Sequence, residues 1–67
     1  QIWEDPMNNY FIVRFVRADG GPDEEYYYHT AKEATDHFNL FQNDDSNLYT
    51  RIEIELHDQI LQTIIFL

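Results

Sequence analysis

The chain has 67 residues and a formal net charge of −9, because 13 Asp and Glu outnumber 4 Lys and Arg. This length allows one small domain, the lack of Cys excludes disulfides and thiolate metal sites, and no apolar run approaches the about 18 residues that a membrane-spanning helix needs. The scattered basic residues exclude a basic stripe for direct nucleic-acid binding, so we expect a soluble, cytoplasmic protein whose charge favours basic partners.

The first residues of the chain differ in character from the rest. Residues 1–6 precede Met7, a natural starting residue, and we interpret them as an appended segment or a native leader. Residues 7–67 are then a single domain. The hydrophobic content of 43% over the whole chain indicates that this domain folds despite its acidity.

The first half of the domain predicts a β-hairpin. Residues 9–18 are β-rich and mostly apolar on both faces, which is typical of a central strand. A run of turn-forming residues follows at 19–23. The next strand, at 26–29, begins with three tyrosines, whose rings must alternate between the two faces of the sheet.

A helix is predicted over about residues 31–42. Thr30 and Glu33 match a capping box, in which each side chain satisfies a free backbone amide of the first turn. Apolar residues then recur at helical spacing: Ala34, Phe38 and Phe41. The polar run 43–47 ends the helix, because its side chains compete for backbone hydrogen bonds.

The second half of the domain predicts two further strands. Residues 48–57 alternate cleanly, with Ile52 and Ile54 on one face and charged side chains on the other. After a tight turn, residues 60–67 form the last strand. A two-residue turn would place the following residues on the face of Ile52: Leu61, Thr63, Ile65 and Leu67. The outer face would then carry three large apolar residues: Ile60, Ile64 and Phe66.

The predicted element order is ββαββ, an α+β fold. The helical crossover makes the third strand parallel to the second and therefore antiparallel to the first. A spatial order of 2-1-3-4 then forms a four-stranded antiparallel sheet with the helix on one face.

Acidic side chains concentrate in two loops and along the third strand with its turn. Glu53 and Glu55 share a face about 6.6 Å apart, a spacing on the scale of successive nucleic-acid phosphates. We expect these surfaces to bind a basic groove of a partner protein. The acidic residues expected at that contact are Asp23, Glu24, Glu25, Asp44, Asp45, Glu53, Glu55 and Asp58. Tyr27 and Tyr49 are the expected aromatic anchors on the uncovered face, and the alternative is a solvated acidic surface that serves only solubility.

The apolar last strand predicts self-association. Exposed Ile60, Ile64 and Phe66 would form a homodimer contact, because an uncharged edge strand invites pairing with a copy of itself. The alternative is that the Ile2-Trp3 segment covers this strand.

Nothing in the sequence indicates catalysis, a cofactor or a metal site. His29, His37 and His57 are far apart, and Ser46 has no base beside it. A chain of this size is also expected to struggle to form a pocket of about 300 Å³. We therefore expect a protein that is not an enzyme.

Residues 30–55, TAKEATDHFNLFQNDDSNLYTRIEIE, resemble a pattern in small proteins of Firmicutes, their phages and mobile elements. In that pattern a capped helix ends in a Phe-x-Leu-Phe-like segment, followed by an Asp/Ser loop and a Leu-Tyr-x-x-Ile strand. In size and charge the chain is also similar to phage-encoded DNA mimics and anti-CRISPR inhibitors. The resemblance implies a cytoplasmic inhibitor that occupies the nucleic-acid-binding or target-recognition surface of a nuclease effector. The alternative is a self-associating structural or interaction module.

Overall fold

A computed structural model describes residues 10–66 of the chain. The elements are β1 (Phe11–Arg17), β2 (Glu24–Tyr28), α1 (Ala31–Leu40), β3 (Tyr49–Leu56) and β4 (Gln59–Ile65). The strands form a four-stranded antiparallel sheet in the order β2-β1-β3-β4. The predicted α+β fold and strand order are therefore confirmed, whereas the proposed boundary after residue 6 and the Ile2-Trp3 segment lie outside the described residues.

Helix α1 begins with the predicted capping box. The hydroxyl oxygen of Thr30 accepts the backbone N–H of Glu33 at 3.2 Å, and the same hydroxyl donates to the Glu33 carboxylate at 3.0 Å. The helix ends at Leu40, two residues before the predicted end. Phe41 leaves helical geometry as the C-cap, where its own N–H bonds back to the last turn.

The core lies between α1 and one face of the sheet. Its fully buried members come from the helix and the two central strands: Val13, Phe15, Ala34, Phe38, Ile52 and Ile54. Phe15 is 1% exposed, and its ring centroid lies 4.9 Å from that of Phe41 and 5.0 Å from that of Tyr49. Burying a Phe side chain in this way contributes about 1.5–3 kcal/mol. The helix contacts β1, β2 and β3. No element of residues 10–66 covers the opposite face of the sheet, which we call the open face.

A β-bulge between β1 and β3 turns Tyr49 into the core. Val16 pairs with Arg51 and Arg17 with Tyr49, so Thr50 is an extra residue in β3. The extra residue reverses the alternation of side chains at the start of the strand. The prediction that Tyr49 lies on the open face is therefore wrong, because its ring packs against Phe15 on the helix side.

A second bulge, between β3 and β4, changes which side chains of the last strand face the core. The connection is the expected two-residue turn, His57-Asp58, with left-handed φ values of 51° and 65° that match a type I′ hairpin turn. The register then shifts by one residue, so that Ile64 pairs with Ile52. Ile64 and Phe66 pack against the core, and the prediction that they lie on the outer face with Ile60 is wrong.

Candidate protein-binding surfaces

The centre of the open face is an ion-pair network around Arg14. This residue projects from the middle of β1, between the carboxylates of β2 and β3. Its guanidinium donates to Glu25 at 2.8 Å, to Glu53 at 3.0 Å and to Glu55 at 2.6 Å. Arg51 donates to the second oxygen of Glu53 at 2.9 Å. Three of the predicted contact residues thus converge on one cation.

The pKa values of this network reflect the pairing. Burial disfavours the charged guanidinium of Arg14, but its hydrogen bonds to the three carboxylates outweigh burial and raise its pKa. Burial would also raise the pKa of Glu53, yet the hydrogen bonds from Arg51 and Arg14 lower it below its ordinary value. The hydrogen bond from Arg14 likewise lowers the pKa of Glu25. Arg14, Glu25 and Glu53 therefore remain charged at neutral pH, and the opposing charges hold each other in place.

The network changes what Glu53 and Glu55 can do. Their side chains are only 10% and 15% exposed, and both carboxylates accept a hydrogen bond from Arg14. They do share one strand face, as predicted, but they do not form a row of free carboxylates. Sequence reasoning overlooked Arg14, although its position on the outward face of a central strand, beside β3 in the predicted order, was sufficient to find it.

Tyr27 lies on the open face beside this network. Its hydroxyl donates to Glu25 at 2.9 Å, which raises the pKa of Tyr27. Its ring contacts Tyr10 edge-on with centroids 6.1 Å apart, and the Tyr10 ring in turn lies 4.6 Å from that of His29, with the two planes tilted by 49°. Tyr27 is 38% exposed, so it remains the one predicted anchor on the open face.

The remaining acidic residues gather mainly at one end of the sheet. The β1–β2 loop (residues 18–23) and the second part of the α1–β3 loop (residues 43–48) meet there, joined by a 2.8 Å hydrogen bond from the N–H of Ala18 to the carbonyl of Leu48. We call these two loops, with Glu24, the loop end. Its carboxylates are Asp19, Asp23, Glu24, Asp44 and Asp45.

Arg17 is the cation that pairs with the loop end. It donates to both oxygens of Asp19, at 3.0 Å and 2.6 Å, and lies 3.6 Å from Glu24. The Arg17 hydrogen bond, together with the N–H of Gly21, holds the pKa of Asp19 at about 2. Asp44 instead accepts from the Ser46 hydroxyl at 2.6 Å. No ion pair reaches Asp23, Asp44 or Asp45 within residues 10–66.

An open depression of about 320 Å³ lies within the loop end. The expectation that the chain would struggle to form a pocket of this size is therefore wrong. The residues lining it are Arg17, Ala18, Asp19, Glu24, Asn47, Leu48 and Tyr49. Tyr49 donates its hydroxyl to Glu24 at 3.1 Å, while Leu48 is 60% exposed and presents an apolar wall. The depression combines the apolar wall of Leu48 with two carboxylates, Asp19 and Glu24, that already pair with Arg17. Its apolar wall suits the stem of a long basic side chain.

Asp58 stands apart from the other predicted contact residues. It occupies the β3–β4 turn, at the opposite end of the sheet from the loop end. The predicted acidic set is thus divided in three: the paired glutamates of the open face, the loop end, and Asp58 alone. These positions do not form one continuous surface.

Within residues 10–66, no three His, Asp or Glu side chains are arranged to hold a metal ion. The helix described there is also too short to cross a membrane. Comparisons with protein-family models, with curated proteins and with solved structures find no match for this chain.

Proposed function

We propose that this protein is a non-catalytic inhibitor or regulator that binds a basic surface of a larger protein through its loop end. The observation that carries the proposal is the charge balance there: the loop end has five carboxylates, and the adjacent Arg17 pairs with two of them, Asp19 and Glu24. Such an excess produces a negative potential that attracts cationic surfaces. The open face supports the proposal less, because Arg14 and Arg51 offset its carboxylates.

The geometry of the loop end favours a protein partner with exposed Lys or Arg. Unpaired Asp23 and Asp45 accelerate encounter, since rim charges act mainly on association rates. The depression beside Leu48 and Tyr49 then accepts one basic side chain, whose burial slows dissociation. Nucleic-acid-binding proteins carry such basic surfaces, and the resemblance to phage-encoded inhibitors of nuclease effectors supports that class of partner.

A matched pair of double variants tests the proposal. Asp23→Asn/Asp45→Asn removes two charges at the loop end, and Asp36→Asn/Asp58→Asn removes two charges elsewhere. Wild type is used to capture partners from a cell lysate, with and without added duplex DNA, and the captured proteins are identified by mass spectrometry. We expect a nucleic-acid-binding protein that DNA displaces, and whose capture the loop-end variant loses and the control retains.

The salt dependence of the captured complex provides a second readout. Raising NaCl from about 50 mM to about 500 mM should weaken binding steeply, because screening shortens the reach of the loop-end charges. Equal binding by the two double variants, or affinity that salt leaves unchanged, would contradict the proposal. That result would favour the alternative in which acidity serves only solubility.

A further inference from the structure

The two edges of the sheet differ in how they are protected against pairing with another strand. β2 is 5 residues long and carries Glu24 and Glu25. β4 is 7 residues long, QILQTII, without a charge, a Pro or a Gly. Short length, charge, Pro and β-bulges are devices by which proteins protect sheet edges. β4 has only the bulge at Leu61, and residues 62–65 beyond it pair regularly with β3.

On its outer side, the backbone of β4 has hydrogen-bonding groups that no other strand within residues 10–66 pairs with. The N–H of Phe66 donates to the carbonyl of Thr50 at 2.9 Å, so the backbone groups of Phe66 point toward β3. These groups alternate in direction along an antiparallel strand, and those of Thr63 and Ile65 therefore point away from β3. Among residues 10–66 no strand lies on that side.

The side chains of β4 are exposed and apolar as well. Ile65 is 65% exposed, and Ile60 and Leu61 are 48% and 49% exposed. An uncharged strand offers a basic partner no favourable contact, so the loop end and β4 suit different occupants. β4 suits another apolar strand.

We propose that β4 pairs antiparallel with β4 of a second copy, with Thr63 on the two-fold axis. This register places Leu61 opposite Ile65 of the second copy, and Ile65 opposite its Leu61, so apolar residues face each other in an isologous contact. Because β4 has no charged side chain, the pairing places no carboxylates opposite each other, although each chain carries a net charge of −9. The two sheets become one continuous sheet.

The dimer is weak and depends on salt in the opposite sense to the loop-end complex. Pairing of a single strand buries less than the about 800 Å² per partner of a standard interface. Two chains of the same charge also repel each other, and salt screens that repulsion. Dimerisation therefore strengthens as salt rises, whereas binding of a basic partner weakens, so either proposal can fail without the other.

Sedimentation velocity of the full chain tests the pairing, with a matched pair of variants. Ile65→Lys places a charge on the edge, and Leu40→Lys makes the same change on the helix, where Leu40 is 79% exposed. From about 10 μM to about 1 mM protein we expect wild type and Leu40→Lys to dimerise, and Ile65→Lys to weaken dimerisation at least about tenfold. Circular dichroism verifies that both variants fold.

Three outcomes would overturn the proposal. In the first, wild-type protein stays monomeric at a protein concentration of about 1 mM in about 500 mM NaCl. In the second, the two lysine variants weaken the dimer equally. In the third, Ile65→Lys leaves the dimer intact.

The register is tested by opposite charges on the two-fold axis. Thr63→Lys and Thr63→Glu each place like charges opposite each other in a homodimer, so each variant alone should be monomeric. An equimolar mixture should form a heterodimer, since unlike charges then face each other. A mixture that remains monomeric would overturn the placement of Thr63 on the axis.

Discussion

The phenolic oxygen of Tyr28 lies 2.7 Å from Nδ1 of His37, a contact that joins β2 to the helix at the margin of the core. The imidazole is surrounded by aromatic rings, with centroids 4.9 Å from Tyr26, 5.2 Å from Phe15 and 5.7 Å from Phe41. This apolar setting disfavours the imidazolium and lowers the pKa of His37 below its ordinary 6.5. Protonation of His37 is therefore coupled to unfolding.

We expect the protein to lose stability as pH falls from about 7 to about 5. The unfolded chain takes up a proton near the ordinary pKa of His37, while the folded chain resists protonation until a lower pH. The contribution of neutral His37 is thus complete above the ordinary pKa and is lost below it. In His37→Gln the free energy of unfolding, measured by urea titration, should vary less over this range.

His29→Gln is the control for this prediction, because His29 is exposed and outside the core. It should retain the wild-type decline. A decline that persists unchanged in His37→Gln would assign the pH dependence to other groups.

Arg14→Met should destabilise the fold by about 2–4 kcal/mol, because it leaves three partly buried carboxylates without their shared cation. Lys32→Met is the matched control. Lys32 is 84% exposed and pairs with Asp36 one helical turn away, so its loss should cost less than about 0.5 kcal/mol. Equal effects of the two variants in urea titration would show that the Arg14 network contributes no more than a surface ion pair.

The network also predicts an acid limb of the stability profile. The folded pKa values of Glu53 and Glu25 lie below the ordinary 4.5, so their contribution is complete above that pH and is lost as pH falls through the lower folded values. Glu53→Gln should flatten this limb below about pH 4.5. Asp45→Asn, at an exposed position without an ion pair within residues 10–66, should leave the slope as in wild type.

The His57-Asp58 turn can be improved. Both residues adopt left-handed φ values, a conformation that Asn and Asp tolerate and that Gly adopts without steric cost, and Asn-Gly is a preferred pair for such a turn. The double change His57→Asn/Asp58→Gly should therefore raise the free energy of unfolding by about 1 kcal/mol. Asp23→Gly, in a loop position without positive φ, should give no gain, since glycine there only adds freedom to the unfolded chain. Thermal melts that compare the stability of each variant with that of wild type test this prediction.

Much of the fold was accessible from the sequence because it follows from local patterns. The capping box at Thr30, the helical spacing of Ala34 and Phe38, and the alternation around Ile52 each predict one element with one orientation. The helical crossover then leaves few strand orders. Burial of Ala34, Phe38 and Ile52 confirms that these patterns mark the core.

The candidate site was less predictable, because it depends on two bulges and on pairing between distant strands. The extra residue Thr50 moves Tyr49 from the open face to the core side of the sheet. No local sequence pattern predicts this bulge. The sequence shows charges only as clusters along the chain, whereas in the fold Arg14 meets Glu55 across 41 positions. The loop end arises in the same way, since only the sheet brings its two loops together.

The bulge beside Ile54 determines which residues of the last strand face the core. The extra residue, Leu61, shifts the alternation of all later side chains by one position. As a result, Ile64 and Phe66 pack against the core. Loss of a single codon at Leu61 would remove the bulge and still leave Ile64 opposite Ile52, because the residues after Leu61 already have the shifted register. Regular pairing of the full-length strand, without the bulge, would instead turn Ile64 and Phe66 outward. The bulge itself thus separates a closed hydrophobic interior from an adhesive exterior.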